Sequence, residues 1–311
     1  MTRQTPSLSA VVVHWRDEQH LGELVAAWPR DSSFELLVVD NSQTLGELPP
    51  PARRLVPDRN LGFAGGVNFG TRAAGAPWIL ILNADTRPED DALSQLVAAT
   101  QEFPEAAGIV PALFGPDGES QHRWQLQPLP SPGILTLQTL LLSKPRGPEE
   151  PPARGSAIEQ PAAAALALRK DVLDELGGFD EGFSPAWFED VDIARRLARA
   201  GQRLIYEPRS RFRHAGGATV PTLGYGPFLW IYNRNLLRYL RLHHGRGWAT
   251  LAGVTLPLGM LLRLAALPLR RPRRAASRWR AAVGLLAVVA GALSGWRWPA
   301  SYRRRFTRKE R

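Results

Sequence analysis

The chain has 311 residues, enough for about two domains and a sizeable core. It contains no cysteine, which excludes disulfide bridges and thiolate metal sites, and its apolar run at residues 10–13 is too short for a signal peptide. The net charge of +10 is concentrated at the C-terminal end, where residues 236–311 carry 17 Lys and Arg and one acidic residue. Such a basic segment predicts an anionic partner, either nucleic acid or a membrane surface.

The first half of the chain alternates short apolar runs with helical patterns. Three runs are predicted strands, because buried parallel strands are short and apolar throughout: residues 8–15, 35–40 and 78–83. Helices are predicted at residues 21–28, at residues 64–74 and directly after Asn83. Thr86 and Glu89 have the spacing of a capping box at the start of that third helix. The alternation predicts an α/β fold with a mostly parallel central sheet flanked by helices.

The second half is less regular. Residues 114–160 are rich in proline and glycine, which predicts a long surface excursion without regular structure. Beyond it, strands are predicted at residues 161–168, 203–206 and 211–214. Helices are predicted at residues 171–176, ending at Gly177 and Gly178, and at residues 188–200, ending at Gly201.

Two apolar stretches, residues 249–269 and 281–295, lie in the basic C-terminal segment. Neither is a clean membrane span, because the first contains Pro257, Gly259 and Arg263 and the second is short. Residues 270–274, with four arginines, and Trp279 lie between them. Arginine, tryptophan and leucine together favour a basic, amphipathic helical tail that lies in a membrane interface. A true span, and packing of these helices on the rest of the chain or in a dimer interface, are the alternatives.

Candidate binding residues follow the predicted strands, since ligands of open α/β sheets bind beyond the carboxyl ends of the strands. The carboxylate of Asp40 ends the second strand and could bind a ribose or a base, although Asp-Asn-Ser is also ordinary turn chemistry. Residues 60–70 hold four glycines and two asparagines before a helix. Glycine permits close approach of a ligand, and a helix start favours an anion. A tight loop with close helix packing is the alternative.

Acidic residues and one histidine are the candidates for chemistry. Asp85 ends the third strand and could hold a divalent ion with phosphate oxygens and water, or cap a helix. Glu189, Asp190 and Asp192 lie at a helix start, where the helix dipole alone would favour them. One of these carboxylates could also accept a proton from a sugar hydroxyl. His214 ends a strand and could bind a metal or a phosphate, although a lone histidine is more often structural.

Together these motifs resemble glycosyltransferase family 2, most closely its rhamnosyltransferase-like members. In chain order they are Val-Asp-Asn-Ser at 39–42, Asn-Leu-Gly-Phe-Ala-Gly-Gly-Val-Asn at 60–68, Leu-Asn-Ala-Asp-Thr at 82–86, Gly-Gly-Phe-Asp-Glu at 177–181, Phe-Glu-Asp-Val-Asp at 188–192 and His-Ala-Gly-Gly at 214–217. The resemblance covers about residues 8–240. It implies the GT-A fold and an inverting, metal-dependent transfer of a sugar from a nucleotide-sugar donor.

The resemblance also implies roles for individual residues. Asp190 corresponds to the general base, with Glu189 beside it, and Asp85 to the metal-binding acid, with His214 near the metal and the diphosphate. The implied donor-binding residues are Val13, Asp40, Asn60, Gly62, Gly65, Asn68 and Asn83, and the implied acceptor-binding residues are Trp187 and Phe188. The implied cofactor is Mg²⁺ or Mn²⁺. The chain departs from the family pattern at Arg16, where asparagine is usual.

The resemblance favours a dTDP-rhamnose donor, with a UDP-sugar left open, and a glycan or lipid-linked acceptor. Residues 1–235 are the expected catalytic domain, with a nucleotide-sugar half at about 1–112 and an acceptor half at about 160–235. Residues 236–311 are the expected membrane-associating segment, which predicts a cytoplasmic enzyme, peripheral at the inner face of the cell membrane. Whether it forms a homodimer is left open.

Three other functions fit the sequence less well. A sugar nucleotidyltransferase needs a glycine-rich loop after the first strand, and the residues after His14 offer none. A nucleic-acid-binding protein is disfavoured because the basic residues bracket apolar stretches. The acids Asp85 and Asp190 argue against a non-catalytic, membrane-bound protein that only binds sugar nucleotides.

Overall fold

The computed structural model describes residues 5–140, 146–216, 223–269, 272, 275–297 and 302. Its strands are β1 (Leu8–His14), β2 (Phe34–Asp40), β3 (Ala52–Leu55), β4 (Trp78–Leu82), β5 (Thr86–Pro88), β6 (Gly108–Phe114), β7 (Leu126–Gln127), β8 (Ala157–Ile158), β9 (Gln160–Pro161), β10 (Ala165–Arg169) and β11 (Leu204–His214). Its helices are α1 (Glu18–Ala27), α2 (Gly62–Ala73), α3 (Ala92–Glu102), α4 (His122–Gln125), α5 (Pro132–Thr139), α6 (Lys170–Glu175), α7 (Glu189–Arg199), α8 (Tyr225–His243), α9 (Arg246–Ala265) and α10 (Arg278–Leu293).

In the part of the chain that the structure describes, nine strands form one sheet in the order β3-β2-β1-β4-β10-β6-β11-β5, with β8 beside β11. β1 to β4 run parallel, as do β6 and β11, and β10 runs antiparallel to both of its neighbours, β4 and β6. Six strands therefore share one direction. This arrangement confirms the predicted α/β fold with a mostly parallel sheet.

Helices cover both faces of the sheet, which explains why β1, β2 and β4 are apolar nearly throughout. One face packs on α1 and α3, for example through Leu24 and Leu96, and the other packs on α2 and α7, for example through Val67 and Ile193. The register pairs His14 with Asp40 and Val12 with Leu82. The carboxyl ends of these three strands therefore reach the same edge of the sheet, where ligands bind in folds of this kind.

Two sequence predictions had wrong boundaries. The third helix does follow Asn83, but it begins at Ala92 as α3, and Thr86–Pro88 forms the edge strand β5 instead of its first turn. The two short strands predicted at residues 203–206 and 211–214 are one strand, β11, with a register irregularity between Glu207 and Arg211. β5 pairs antiparallel with the end of β11. This tertiary contact makes Thr86–Pro88 a strand, although the local capping pattern predicted the start of a helix.

Regular structure also occupies part of the predicted excursion at residues 114–160. It contains α4, α5, β7 and β8, and the side chains of Gln125 and Leu135 are buried. Residues 141–145, within the same stretch, lie outside the described residues. The strand predicted at residues 161–168 is divided into the two-residue β9 and the core strand β10. By contrast, the helix ends predicted at Gly177 and Gly201 are confirmed, since α6 and α7 end just before them.

The predicted C-terminal helical segment is present as α8, α9 and α10, which pack on one another. Trp230, Leu256 and Leu285, one from each helix, are fully buried at their interfaces. The boundary predicted at residue 235 lies inside α8. Among the described residues, α9 is the one helix long and apolar enough to cross a membrane, and 22% of its apolar window is buried. The basic run 270–274, apart from Pro272, and residues 303–311 lie outside the described residues.

Candidate active site

A cleft opens beyond the carboxyl ends of β1 and β4. Six of the residues predicted from the sequence line it: Val13, Asn60, Gly62, Asn83, Asp85 and Trp187. Five further lining residues that carry polar groups or large apolar surface were not predicted: Trp15, Asp17, Asn41, Phe63 and Leu223. The cleft thus joins the strand ends, the start of α2 and the loop before α7 around one space.

The glycine-rich segment forms one wall of this cleft because it is fastened on two sides. The side-chain amide of Asn41 donates to the carbonyl oxygen of Gly62 (2.8 Å), and the backbone N–H of Phe63 donates to the carbonyl oxygen of Pro185 (2.7 Å). Gly62 has a positive φ of 73°, and a Cβ atom there would lie 2.9 Å from Pro185 O. Glycine is therefore required where α2 meets the loop at residues 184–187.

Three residues of the predicted donor site lie away from the cleft. The carboxylate of Asp40 is buried, accepting from Arg54 (2.7 Å) and from the backbone N–H of Leu45 (3.0 Å). Burial raises the pKa of Asp40, but these hydrogen bonds outweigh it and hold that pKa below its usual value. Gly65 packs in α2, where an added Cβ would lie 2.9 Å from Leu61 Cβ. Their environment gives these residues structural roles.

Asn68 is the third of them. Its side chain donates to the carbonyl oxygen of Phe179 (2.9 Å) and accepts from the backbone N–H of the same residue (2.8 Å). This pair of hydrogen bonds joins α2 to the loop that follows α6. The close-packing interpretation of the glycine-rich segment therefore applies to Asn68 and Gly65, whereas Asn60 and Gly62 line the cleft.

Asp85 and His214 are brought together by the pairing of β5 with β11, which places Thr86 opposite His214. Asp85 Oδ1 lies 3.5 Å from His214 Nε2, and both side chains are nearly buried. Burial lowers the pKa of His214, against the opposing charge of Asp85, so the imidazole is neutral near pH 7. Two buried groups with lone pairs therefore face each other.

A divalent ion fits this pair. Two ligand atoms bound at about 2.1 Å to one ion are about 3–3.5 Å apart, and a carboxylate oxygen and a neutral imidazole are both metal ligands. The described residues contain no cluster of three or more His, Cys, Asp or Glu that would complete a coordination shell. Phosphate oxygens of a donor and water would supply the remaining ligands, as is usual for Mg²⁺.

Glu189 and Asp190 begin α7, directly after Trp187 and Phe188, whose φ angles of 72° and 76° lie in the left-handed region. Non-glycine residues rarely adopt this conformation, so the surrounding structure must hold the turn. Asp190 accepts from its neighbour's N–H, that of Val191 (2.8 Å), and from the backbone N–H of Ala163. The turn and these bonds fix the direction of the Asp190 carboxylate.

The two acids of this pair differ in their environments. Burial, and then the charge of Asp190, raise the pKa of Glu189 well above its usual value. Glu189 is buried, and its Oε2 has no hydrogen-bond partner among the described residues. Burial also raises the pKa of Asp190, but backbone N–H donors oppose this effect. Asp190 is partly exposed. Asp190 is therefore the acid better able to carry the negative charge of a general base.

Asp190 is linked to the metal-side residues through the segment before β10. Ala163 donates to Asp190, and the next residue, Ala164, accepts from the backbone N–H of Asn83 (3.0 Å). Asn83 lines the cleft two residues before Asp85. These backbone contacts connect the predicted base and the predicted metal ligand to the same segment, directly before β10.

The two predicted acceptor-binding aromatics have different environments. Trp187 lines the cleft and packs edge-on against Phe228, with ring centroids 4.9 Å apart. Phe188 is buried against Tyr232 and Tyr239. Of these two aromatics, only Trp187 lines the cleft, and Phe188 anchors the turn from within the core.

The sequence did not indicate the role of α8 in holding this turn. The side-chain amide of Asn235, fully buried, lies 2.9–3.0 Å from the carbonyl oxygens of Phe183, Ala186 and Trp187. Arg234 also donates to Ser184 (3.3 Å). No clear signal for this role exists in the sequence, because Asn235 stands beside other polar residues, Asn233 and Arg234, in a helix of mixed polarity. α8 therefore holds the loop that lines the cleft.

Comparison with known protein families and sequences identifies relatives of the chain. A family model described as Glycosyl transferase family 2 matches residues 9–177. The N-acetylglucosaminyl-diphospho-decaprenol L-rhamnosyltransferase of Mycobacterium tuberculosis (strain H37Rv) is 26% identical over 236 residues, covering 68% of this chain and 76% of that protein. The O-antigen biosynthesis protein RfbC of Myxococcus xanthus is 27% identical over 239 residues, which are 70% of this chain and 18% of that protein.

Among solved structures, the mannosyltransferase PcManGT from Pyrobaculum calidifontis, in complex with GDP-Man and Mn²⁺, has a TM-score of 0.53. The match covers 93% of this chain and 88% of that one at 17% identity, so it shows a shared fold. The family model matches more than half of the chain. The chain therefore belongs to glycosyl transferase family 2, and it is a glycosyltransferase with the GT-A fold, which uses a nucleotide-sugar donor and a glycan acceptor.

Proposed function

We propose that this glycosyltransferase inverts the anomeric centre of its donor sugar and requires a divalent metal. Asp190 is the proposed general base, and Asp85 and His214 are the proposed metal ligands. The observation that carries the proposal is the pair of Asp85 and His214, 3.5 Å apart beside the cleft, together with a partly exposed carboxylate at the start of α7. The name of the mycobacterial relative supports a rhamnosyl donor, such as dTDP-rhamnose, and a lipid-linked acceptor.

The proposed mechanism assigns each group one task. When bound by Asp85 and His214, a divalent ion would neutralise charge on the leaving diphosphate. The Asp190 carboxylate accepts the proton of the acceptor hydroxyl, and the hydroxyl oxygen attacks the anomeric carbon from the face opposite the diphosphate. The bond from this carbon to the diphosphate oxygen breaks, and its electron pair leaves with the nucleoside diphosphate. The attack from the opposite face inverts the anomeric configuration.

A donor panel tests this function directly. Purified protein with Mn²⁺ is incubated with dTDP-rhamnose, UDP-sugars and GDP-mannose, with and without a lipid-linked N-acetylglucosaminyl diphosphate. We expect release of nucleoside diphosphate to be fastest with dTDP-rhamnose and acceptor, and the product to have inverted anomeric configuration by NMR. Release with none of these donors, or a retained anomeric configuration, would contradict the proposal.

We propose further that α9 and α10 hold the enzyme at an anionic membrane surface, on its cytoplasmic face, without crossing it. Exposed apolar side chains recur every three or four residues along one face of α9: Leu251, Val254, Leu258, Leu261 and Leu262. On α10, Trp279, Val283 and Leu286 have the same spacing, and Leu293 follows two turns after Leu286. Apolar faces of this extent mark interaction surfaces. The basic residues of the segment supply the complementary charge.

The other side of α9 is fastened to the catalytic part, which favours an interfacial position over a span. Arg263 donates to the carbonyl oxygens of Thr139 (2.8 Å) and Gln138 (3.0 Å) at the end of α5. Thr255 hydrogen-bonds Thr139 through their hydroxyls (2.7 Å). Gly259, between them, lets the helices touch, since a Cβ atom there would clash with Thr139 O. A helix crossing the bilayer would have to give up these contacts.

We expect a triple variant of the exposed face of α9 to bind anionic vesicles at least about tenfold more weakly than the parent protein. The three substitutions are Leu251→Gln, Val254→Gln and Leu258→Gln. Burial of one such side chain contributes about 1.5–3 kcal/mol, of which interfacial insertion recovers part. Flotation with phosphatidylserine-containing vesicles measures the effect. The matched control is Val56→Gln, an equally exposed apolar residue of β3's C-terminal flank, which should float like the parent protein.

Two further outcomes decide the mode of binding. Unchanged flotation of the triple variant would contradict a role for this face. Release of the parent protein from membranes by alkaline carbonate is expected for peripheral binding, and resistance to carbonate would show that a helix spans the bilayer.

A further inference from the structure

His214 is held by a side chain from a distant part of the chain. Gln121 lies just before α4, and its Oε1 is 2.7 Å from His214 Nδ1. Its Nε2 is 3.1 Å from the backbone carbonyl oxygen of His214. A single amide thus contacts both the ring and the main chain of the same residue.

These two contacts together determine which ring nitrogen carries the proton. A backbone carbonyl oxygen only accepts hydrogen bonds, so the Gln121 atom that faces it must be the amide nitrogen. The amide oxygen is then the atom that faces Nδ1, and it too can only accept. Nδ1 must therefore be the protonated nitrogen of the neutral ring, and Nε2 carries the lone pair.

The geometry directs that lone pair toward Asp85. Nε2 lies 3.5 Å from Asp85 Oδ1, and neither atom has a hydrogen to offer the other when the ring is neutral. Trp124, one turn along from Gln121, stacks on the imidazole with ring centroids 5.1 Å apart and an angle of 18°. Gln121 fixes the tautomer, and Trp124 covers one face of the ring.

We propose that Gln121 is a positioning residue, which holds His214 in the Nδ1-protonated tautomer and so presents Nε2 to the divalent ion of the donor complex. This inference rests on the proposed metal site. A hydrogen-bond acceptor on the remote nitrogen of a metal-binding histidine fixes the ring and its tautomer, and its loss typically weakens metal binding about 10–100-fold.

Gln125, four residues further on, provides a matched control. It is a fully buried glutamine of the same segment, whereas Gln121 is partly exposed, and the Gln125 side chain bonds Leu113 N–H (3.1 Å) and Pro111 O (2.6 Å) instead of His214. A substitution to leucine at either position removes two hydrogen bonds, both to main-chain groups at Gln125 and one to the main chain and one to the imidazole ring at Gln121. Only the substitution at Gln121 changes the environment of the His214 ring.

The experiment compares Gln121→Leu, Gln125→Leu and the conservative Gln121→Glu with the parent protein. Nitrogen-15 NMR of histidine-labelled full-length protein, at a pH where the ring is neutral, reports the tautomer of His214. The chain has 6 histidines, so the spectrum is simple enough to assign with a His214→Gln sample. Mn²⁺ affinity is measured by electron paramagnetic resonance in the presence of dTDP.

We expect the Nδ1-protonated tautomer in the parent protein, in Gln125→Leu and in Gln121→Glu, which keeps an acceptor for Nδ1–H. In Gln121→Leu we expect a mixture of tautomers and a Mn²⁺ affinity lower by about 10–100-fold. Gln125→Leu should lose stability without this change, and Gln121→Glu should bind Mn²⁺ more tightly than Gln121→Leu.

An unchanged tautomer and unchanged Mn²⁺ affinity in Gln121→Leu would overturn the inference, as would an Nε2-protonated ring in the parent protein. If Gln121→Leu does not fold, the Gln121→Glu variant provides the test, and loss of the Nδ1-protonated tautomer in that variant would likewise overturn the inference. A parent protein that does not bind Mn²⁺ at all would instead refute the proposed metal site, which is a separate result.

Discussion

Replacing Asp190 with asparagine is expected to lower turnover by about 10²–10⁴-fold, because this is the typical contribution of a general base. Asparagine has the same size and can still accept from Val191 and Ala163, but it cannot take a proton from the acceptor hydroxyl. Donor binding, measured by calorimetry with dTDP and Mn²⁺, should change little. The expected loss therefore falls on kcat.

The Glu189→Gln variant tests whether the general base is Asp190 or its neighbour Glu189. Glu189 is buried and its raised pKa favours the protonated form, which glutamine resembles in size and charge. If Glu189 were the base, its glutamine variant would carry the large loss and Asp190→Asn would keep near-normal turnover. That result would move the assignment from Asp190 to Glu189.

The pH profile of the parent enzyme is a second test of Asp190 as the general base. Burial raises the pKa of Asp190 above the ordinary aspartate value of about 3.9. A base acts only when deprotonated, so kcat/KM should fall as the pH decreases through this raised pKa, and stay constant above it. Asp190→Asn should retain its residual activity without this acid limb.

Much of the fold could be predicted because the central strands are buried on both faces. β1, β2 and β4 are continuous apolar runs, which is the pattern of buried parallel strands. β6 was missed because it contains Pro111, and proline within a run argues against a central strand. Pro111 pairs with Glu207, next to the irregularity of β11, where the ladder is already interrupted. β3, with two arginines in four residues, shows no apolar pattern.

The sequence could predict only those site residues that end a recognisable strand or belong to a motif. Asn83 and Asp85 could be placed because they follow a recognisable strand. Gln121 could not, since its partner His214 is 93 residues away and meets it only through the topology of the sheet. The same limit applies to Asn235, whose contacts with the loop before α7 join residues about 50 positions apart. Sequence motifs identify groups with chemistry, and the fold determines which neighbours orient them.

Asp85→Asn is expected to abolish most of the metal-dependent part of donor binding and to lower turnover at least about 100-fold. Asparagine keeps an oxygen in the same place but removes the negative charge that a divalent ion needs beside the neutral His214. The fold should survive, because it is the backbone oxygen of Asp85, rather than its side chain, that accepts from Ala215 (3.0 Å). The expected loss thus reflects the site and not the stability of the chain.

Calorimetry of dTDP binding with and without Mn²⁺ measures this effect, and EDTA should inhibit the parent enzyme. Asp17→Asn is the matched control, because Asp17 is a second carboxylate on the same cleft and is paired with His20 (2.7 Å). Its loss changes the charge of the cleft without touching the pair of Asp85 and His214, so the gain in affinity on adding Mn²⁺ should persist. In Asp85→Asn that gain should largely vanish. Equal dTDP affinity of the parent protein in both conditions would show that Asp85 and His214 bind no catalytic metal, and their contact would then be structural.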